Sequence, residues 1–383
     1  MKVTQIYALV NSATEEMLGE SVILAEDLSN IVDVGKAVVN TDNLDNYVKK
    51  LVNHIGKVVF VNRLYAGGTP SVLMDAWEYG SVLEKISADL PVAGESDSWK
   101  LTDGATYDPN VFHQPTVSVK FFNQKTTFEI PLSFTEMQVK ESFSNANQLN
   151  GFLSMLTTAV ENAMTVRLDA LIMRTINNMA AETMVNGGVA ADQTLTSVKA
   201  VNLLALYNTE YSKTLAPANA LTDPDFIRYA TYQIGLYTDR MSRISTLFNV
   251  GGKERFTPKD LQHVVLLSDF AKASQSFLLA DTQNMGQVTL PAHESVPYWQ
   301  GSGLGYAFAD VSAINVKTSS KVDVSVTGIL GVVFDRDALG VSNLDRRVTT
   351  NYNPKAEFYT NFYKFDAGFY NDLDENFVVF FVG

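Results

Sequence analysis

Residues 116–132, TVSVKFFNQKTTFEIPL, lead through SFTE (133–136) into residues 149–184, LNGFLSMLTTAVENAMTVRLDALIMRTINNMAAETM. Val117, Val119 and Phe121 fall on one side of an extended chain. Phe128 and Ile130 continue the alternation after a polar stretch, and Pro131 is expected to end the strand. Ser133 and Glu136 form a capping box, so a short helix is expected from Phe134 to Phe143, interrupted by Ser144, Asn145 and Asn147. From Leu149 onward, Phe152, Leu153, Leu156, Val160, Ala163, Met164, Leu168, Leu171, Ile172, Ile176 and Met179 recur at spacings of three and four. That is one face of a long helix, and Asn186-Gly187-Gly188 stops it. At about 3.3 Å per strand residue and about 1.5 Å per helix residue, each part would run roughly 50 Å. Elements of that length span a surface rather than enclose a pocket, and they need neighbours.

Working toward the N-terminus, SVLEKISADL (81–90) alternates as a strand does, and Pro91 to Pro115 is a long polar connection rich in Gly, Asp and Pro. Pairing 81–90 with 116–130 makes a long two-stranded arm. An isolated hairpin is marginal in water. This one carries Trp99, Phe112, Phe121 and Phe122, so those four are the candidate inter-subunit contacts. Ahead of it, helical pattern is found near Leu44 to Ile55 and a strand near Lys57 to Val61.

Toward the C-terminus, residues 190–340 read as a separate α/β unit. Thr196 or Ser197 is expected to cap a helix through Tyr211, and Asp223-Pro224 supplies an N-cap and first-turn proline for another reaching about Ile244. Gln262 to Leu267 is a short apolar strand with a helix starting at Ser268 or Asp269, 281–305 is loop-rich, and Val322 to Phe334 returns as strand. From Arg346 the chain is its most aromatic. Phe358, Tyr359, Phe362, Tyr363, Phe365, Phe369 and Tyr370 occupy both parities, which predicts a sheet covered on both faces. A turn at 371–376 then leads to Phe377–Val382, expected to be a buried strand beside 357–370.

Composition narrows the function. At 383 residues and 46% hydrophobic content the chain can bury a sizeable core in two or three domains. It has no cysteine, which removes disulfides, thiolate metal sites and a thiol nucleophile. No apolar run approaches the roughly 20 residues that cross a bilayer, and Met1 to Glu15 lacks the character of a signal peptide. A soluble chain, not exported by its own sequence and without a membrane partner, is expected. The net charge of −13 argues against a nucleic-acid reader. Arg346-Arg347, a basic pair after Asp345, is better read as a solvated strand start.

Catalytic and metal readings fail on residues. His54, His113, His263 and His293 are scattered, and His293-Glu294 lacks the second histidine of a zinc-protease helix. Gly301, Gly303 and Gly305 in GSGLG have no convincing strand before them or helix after. Asp335 and Asp337 around Arg336 read as a solvated turn. Asp372, Asp374 and Glu375 lack the loop of a calcium site and read as a polar hairpin turn. No catalytic residue, cofactor or metal is expected.

Three phrases carry a family likeness: EYGSVLEKI (78–86), GILGVVFDRDALGV (328–341) and NPKAEFYTNFYKFDAGFYNDLDENFVVFF (353–381). In this order, with an arm hairpin, a long helix, an inserted α/β unit and returning C-terminal strands, the chain resembles the Hong Kong 97-like major capsid proteins of tailed bacteriophages. The wording is most like that of short-tailed phages (podoviruses). The resemblance implies an α+β fold with an N-terminal arm (1–77), an extended β-hairpin loop (78–131), a peripheral domain with a spine helix (132–189 and 345–383), and an inserted axial domain (190–344). It implies a subunit that forms pentamers and hexamers, closes into an icosahedral head, and is assembled in the bacterial cytoplasm to reside in the virion. Implied partners are itself, a portal, double-stranded DNA held weakly and non-specifically, and a scaffolding protein. No long charged helical region precedes the hairpin, so that scaffold is expected to be a separate protein. Two other classes stay in view, an encapsulin-type nanocompartment shell and an unrecognised α/β enzyme.

Overall fold

In the computed structural model, residues 70–74, 82–96, 99–135, 146–281, 290–300, 307–319 and 322–383 are described. The helix expected at 44–55, the strand at 57–61, His54, the GSGLG loop and most of the capping-box helix lie outside them. In chain order the strands are β1 (Leu73–Met74), β2 (Leu83–Ala88), β3 (Val117–Phe122), β4 (Lys125–Thr135), β5 (Ala200–Asn202), β6 (Gln262–Leu267) and β7 (Glu294–Val296). They continue as β8 (Ile314–Lys317), β9 (Asp323–Val326), β10 (Ile329–Asp335), β11 (Leu339–Asn353), β12 (Phe358–Asn371) and β13 (Phe377–Phe381). The helices are α1 (Ala146–Asn186), α2 (Leu203–Glu210), α3 (Pro224–Met241), α4 (Ser268–Asp281) and α5 (Phe308–Val311).

The chain divides into two units, one with Lys125–Leu171 and Ser342–Gly368, the other with Thr69–Gln124, Ile172–Val341 and Phe369–Gly383. In the first, β12 runs antiparallel to β4 from Phe358 opposite Thr135 to Gly368 opposite Lys125. Pro131 does not end the strand as expected; it sits within β4, opposite Phe362. The sheet order β1-β11-β12-β4 makes β4 an edge, where a residue without an N–H is tolerated. Ser133 consequently belongs to the strand, its hydroxyl 3.0 Å from that of Thr360, and not to a capping box. Phe128 stacks on Phe365 with centroids 5.0 Å apart. β12 departs from the two-sided burial expected: Tyr359, Asn361, Tyr363, Phe365 and Ala367 are buried, while Phe358, Thr360, Phe362, Lys364 and Asp366 are half-buried.

In the second unit a five-stranded sheet has the order β5-β13-β10-β6-β7. β13 is antiparallel to β10 and parallel to β5. It is buried throughout, as its apolar run requires, but its neighbours are not the aromatic strand β12. The helix expected from Thr196 is replaced by β5 and α2. Asn202 caps α2 by accepting from Ala205 N, and the Thr196 hydroxyl accepts from Asn202 N at 3.1 Å. Asp223 caps α3 as its sequence predicts, accepting from Phe226 N at 2.9 Å, with Pro224 in the first turn. α3 lies on the sheet through Tyr237, whose ring meets Phe380 edge-on at 5.4 Å. The strand expected from Val322 to Phe334 is two strands, because Gly328 has φ +77° and a Cβ there would come within 2.0 Å of the Val382 carbonyl oxygen.

α1 has 41 residues, about 60 Å of helix. Val160, Met164 and Leu168 are buried at four-residue spacing, and from Thr175 to Met184 burial spreads around the helix. Gly188, at φ +74°, ends it where the glycine pair predicts, and Val189 N returns to the Met184 carbonyl at 3.1 Å.

Candidate functional site

β2 and β3 form a two-stranded antiparallel ribbon with Leu83 opposite Phe122, Lys85 opposite Lys120, Ile86 opposite Val119 and Ser87 opposite Ser118. Strand alternation therefore gives it one mainly polar face, with Lys85, Ser87, Ser118 and Lys120 between Leu83 and Phe122 at one end, and one mainly apolar face, with Ile86, Val117, Val119 and Phe121 beside Glu84. The polar face is the partly covered one. Ile86, Val117, Val119 and Phe121 all point to solvent.

The two lysines explain the inversion. Like charges directly opposite each other destabilise a strand pair, and here the turn between β12 and β13 supplies the counter-charge. Lys85 Nζ lies 2.8 Å from Asp372 Oδ2 and 2.7 Å from Glu375 Oε1. Lys120 Nζ lies 2.8 Å from Asp372 Oδ1 and 2.5 Å from Asp374 Oδ2. Asp372 is 2% exposed and bridges both lysines, one on each carboxylate oxygen. Arg255 adds a guanidinium 3.5 Å from Glu375, and Lys253 holds Asp89, just beyond β2, at 3.1 Å. Burial by itself would raise the Asp372 carboxyl, but hydrogen bonds from Lys120 and Lys85 hold it below the ordinary carboxylate value. Burial works to lower Lys85, and its bonds to Asp372 and Glu375 raise it on balance. Tyr370, beside these acids, has its phenol pushed well up by burial and then by the charges of Asp337, Asp372 and Glu375.

Of the four aromatics expected to contact another subunit, three stand free. Trp99 is 94% exposed, Phe112 84% and Phe121 65%. Phe122 faces the other way and packs on Tyr370, with ring centroids 5.0 Å apart. The connection from β2 to β3 is exposed at every described residue from Leu90 to Thr116, including Val92, Leu101 and Val111.

Two acidic turns differ from their sequence reading. Asp335 is not solvated: it is buried, accepting from the Thr257 hydroxyl at 2.7 Å and from Asp337 N at 2.9 Å. The turn at 372–375 is a docking point for the ribbon rather than a free polar turn. Nothing in its own letters separates it from an ordinary hairpin; the usable signal is the cross-strand lysine pair, which demands an acid once the register is known. His263 stacks on Phe334 at 5.5 Å, and burial lowers its pKa. His293 Nδ1 lies 2.9 Å from the Pro291 carbonyl oxygen. Among the described residues no group of His, Asp and Glu is gathered to hold a metal ion, and no helix is long and apolar enough to cross a membrane.

The family model for Phi29-like phage major capsid protein matches residues 9–381. A major capsid protein of Bacillus phage GA-1 is 25% identical over 171 residues, a stretch taking in 42% of this chain and only 34% of that protein's length. The capsid structure of Staphylococcus phage Andhra is similar in fold, with a TM-score of 0.50 at 10% identity over 84% of this chain and 87% of that one. The capsid structure of the cyanophage P-SCSP1u gives 0.48 at 10% identity over 84% and 88%. The mixed fold of helices and sheets resembles that of the Staphylococcus phage Andhra capsid.

Proposed function

The chain belongs to the Phi29-like phage major capsid protein family, and from that premise we propose that it is the shell subunit of a tailed-phage head, forming pentamers and hexamers that close into an icosahedral capsid around double-stranded DNA. Its role is structural and not enzymatic. In this reading the Hong Kong 97-like parts are an N-terminal arm at 1–77, an extended loop at 78–131, a peripheral domain at 132–189 and 345–383 with α1 as its spine, and an axial domain at 190–344. The partners are other copies of the chain, a separate scaffolding protein and a portal, and the mature protein resides in the virion after assembly in the bacterial cytoplasm.

The observation that supports it best is the ribbon's apolar face together with Trp99 and Phe112, a run of large exposed side chains that a solitary chain has no reason to hold in water. Stable protein contacts bury about 1,600 Å², and aromatic anchors at their centres commonly cost more than about 2 kcal/mol when truncated. Electron microscopy of the purified protein, with and without a scaffolding partner, should show rings or closed shells. Replacing Trp99 and Phe112 by Ser should leave the chain folded and abolish those particles. A monodisperse monomer at high concentration in every condition would overturn the assignment, and normal shells from the double variant would remove these two residues from the interface.

A further inference from the structure

A half-covered antiparallel ribbon ordinarily turns its apolar side inward and its polar side to water. The β2–β3 ribbon does the opposite, and what holds it so is charge. Lys85 and Lys120, opposite each other across the ribbon, converge on Asp372, Asp374 and Glu375 at 2.5 to 2.8 Å. On the covered side Phe122, opposite Leu83, packs on Tyr370. Without the acids, two facing ammonium groups would be left together, and the exposed Ile86, Val117, Val119 and Phe121 would be the side that gains by burial.

We propose that the Lys85/Lys120–Asp372/Asp374/Glu375 cluster is an electrostatic latch that docks the β2–β3 ribbon polar side down and holds its apolar side out. The latch sits at the step where the chain leaves β3 for β4 across Asn123 and Gln124, so the ribbon can come away while β10 and β13 stay paired. Asp372 is the pivot, since it alone takes both lysines, and Asp374 and Glu375 each take one. Arg255 shares Glu375, and the Lys253–Asp89 pair ties the loop end of β2. Undocked, the ribbon is an isolated two-stranded hairpin and frays. This inference rests on the shell-subunit reading for its use, which is to present the apolar face to a neighbouring copy, but not for its test.

Hydrogen exchange of the full-length chain, kept dilute and unassembled, reads the latch directly. Lys120→Met and, separately, Lys85→Met remove a charge while keeping side-chain length. Amides of 83–88 and 117–122 should exchange at least about tenfold faster in either variant, the scale of a lost hydrogen bond to a charged group, and those of β10 and β13 should keep their rates. Lys120→Arg, which retains the charge, should keep the ribbon protected. Unchanged ribbon exchange in both methionine variants would overturn the proposal, as would an equal rise in β10 and β13, which would make the cluster part of the core. Shell formation is not measured, so either result stands whether or not the chain assembles.

Discussion

Asp372 shows at the scale of one residue how a charge can be buried and still stabilise. A carboxylate taken out of water is costly unless it is paired and hydrogen-bonded. Here each oxygen has a lysine, and Asp374 N donates at 3.1 Å. Its pKa lies below the ordinary carboxylate value when folded, so the unfolded chain binds the proton first. The stabilisation is therefore complete above the unfolded value of 3.8 and is lost as pH falls through the lower folded one. The lysines set the other limit: both are raised above 10.5, so their share persists until pH climbs through the raised values. Denaturant unfolding measured against pH should show a plateau at neutral pH and a fall on the acid side. Asp366, also lowered, with its Arg347 hydrogen bond the largest cause, adds to that fall. Asp372→Asn should lower the plateau by about 3 kcal/mol and flatten the acid limb; an unaltered limb would remove Asp372 from it. None of this is legible in the letters around 372, because an acidic turn is solvated far more often than it is a receptor. Phe121 and Phe122 pose the same difficulty, adjacent residues with opposite fates decided by which face of the ribbon meets Tyr370.

At the scale of elements, the long helix, its glycine stop, the capped proline start of α3 and the strand β6 were legible because each depends on local chemistry or on a sustained period. The stretch 116–132 was legible as extended chain but not as two strands. Its apolar residues change parity, odd through Phe121 and even from Phe128, and that slip is the trace of the break at Asn123 and Gln124. The slip also hides an inversion of meaning: β3 turns its odd apolar residues to solvent, while β4 turns Phe128 onto Phe365. Period locates a strand without saying which face is covered. Partner choice is equally non-local. β13 was legible as a buried strand, yet its place between β5 and β10 depends on residues far away in the chain, and that place sharpens a prediction. Deleting Asn376–Gly383 removes an inner strand and splits the sheet instead of trimming an edge. Phe377, Val378, Val379, Phe380 and Phe381 are all fully buried, at roughly 1.5–3 kcal/mol each for the large side chains. The sum rivals the roughly 5–15 kcal/mol that stabilises a whole domain. The truncated chain should be insoluble on expression, and a soluble, cooperatively melting product would show that the sheet closes without β13.

For the whole molecule, net charge decides what a shell of this protein could do with its contents. Asp and Glu number 42 against 29 Lys and Arg, and the mutual pairing seen at the ribbon and along β11 and β12 takes some of those cations out of reach. Lys85, Lys120 and Arg347 are each engaged by carboxylates. Phosphate binding depends on releasing counterions through clustered cations, and affinity falls steeply with salt in proportion to their number. On the proposed reading, a net-acidic wall with some of its cations so engaged would confine DNA without gripping it, which would suit a duplex that slides as it is packed. Titrating the unassembled chain with duplexes of unrelated sequence should give binding no tighter than the general non-specific range, about 10⁻⁴ to 10⁻⁶ M near physiological salt, and with no preference among sequences. The slope of log affinity against log salt should be shallow, since few phosphates can be neutralised at once. Tight binding with a steep slope would require a cationic surface, and would count against the chain as a passive wall around its DNA.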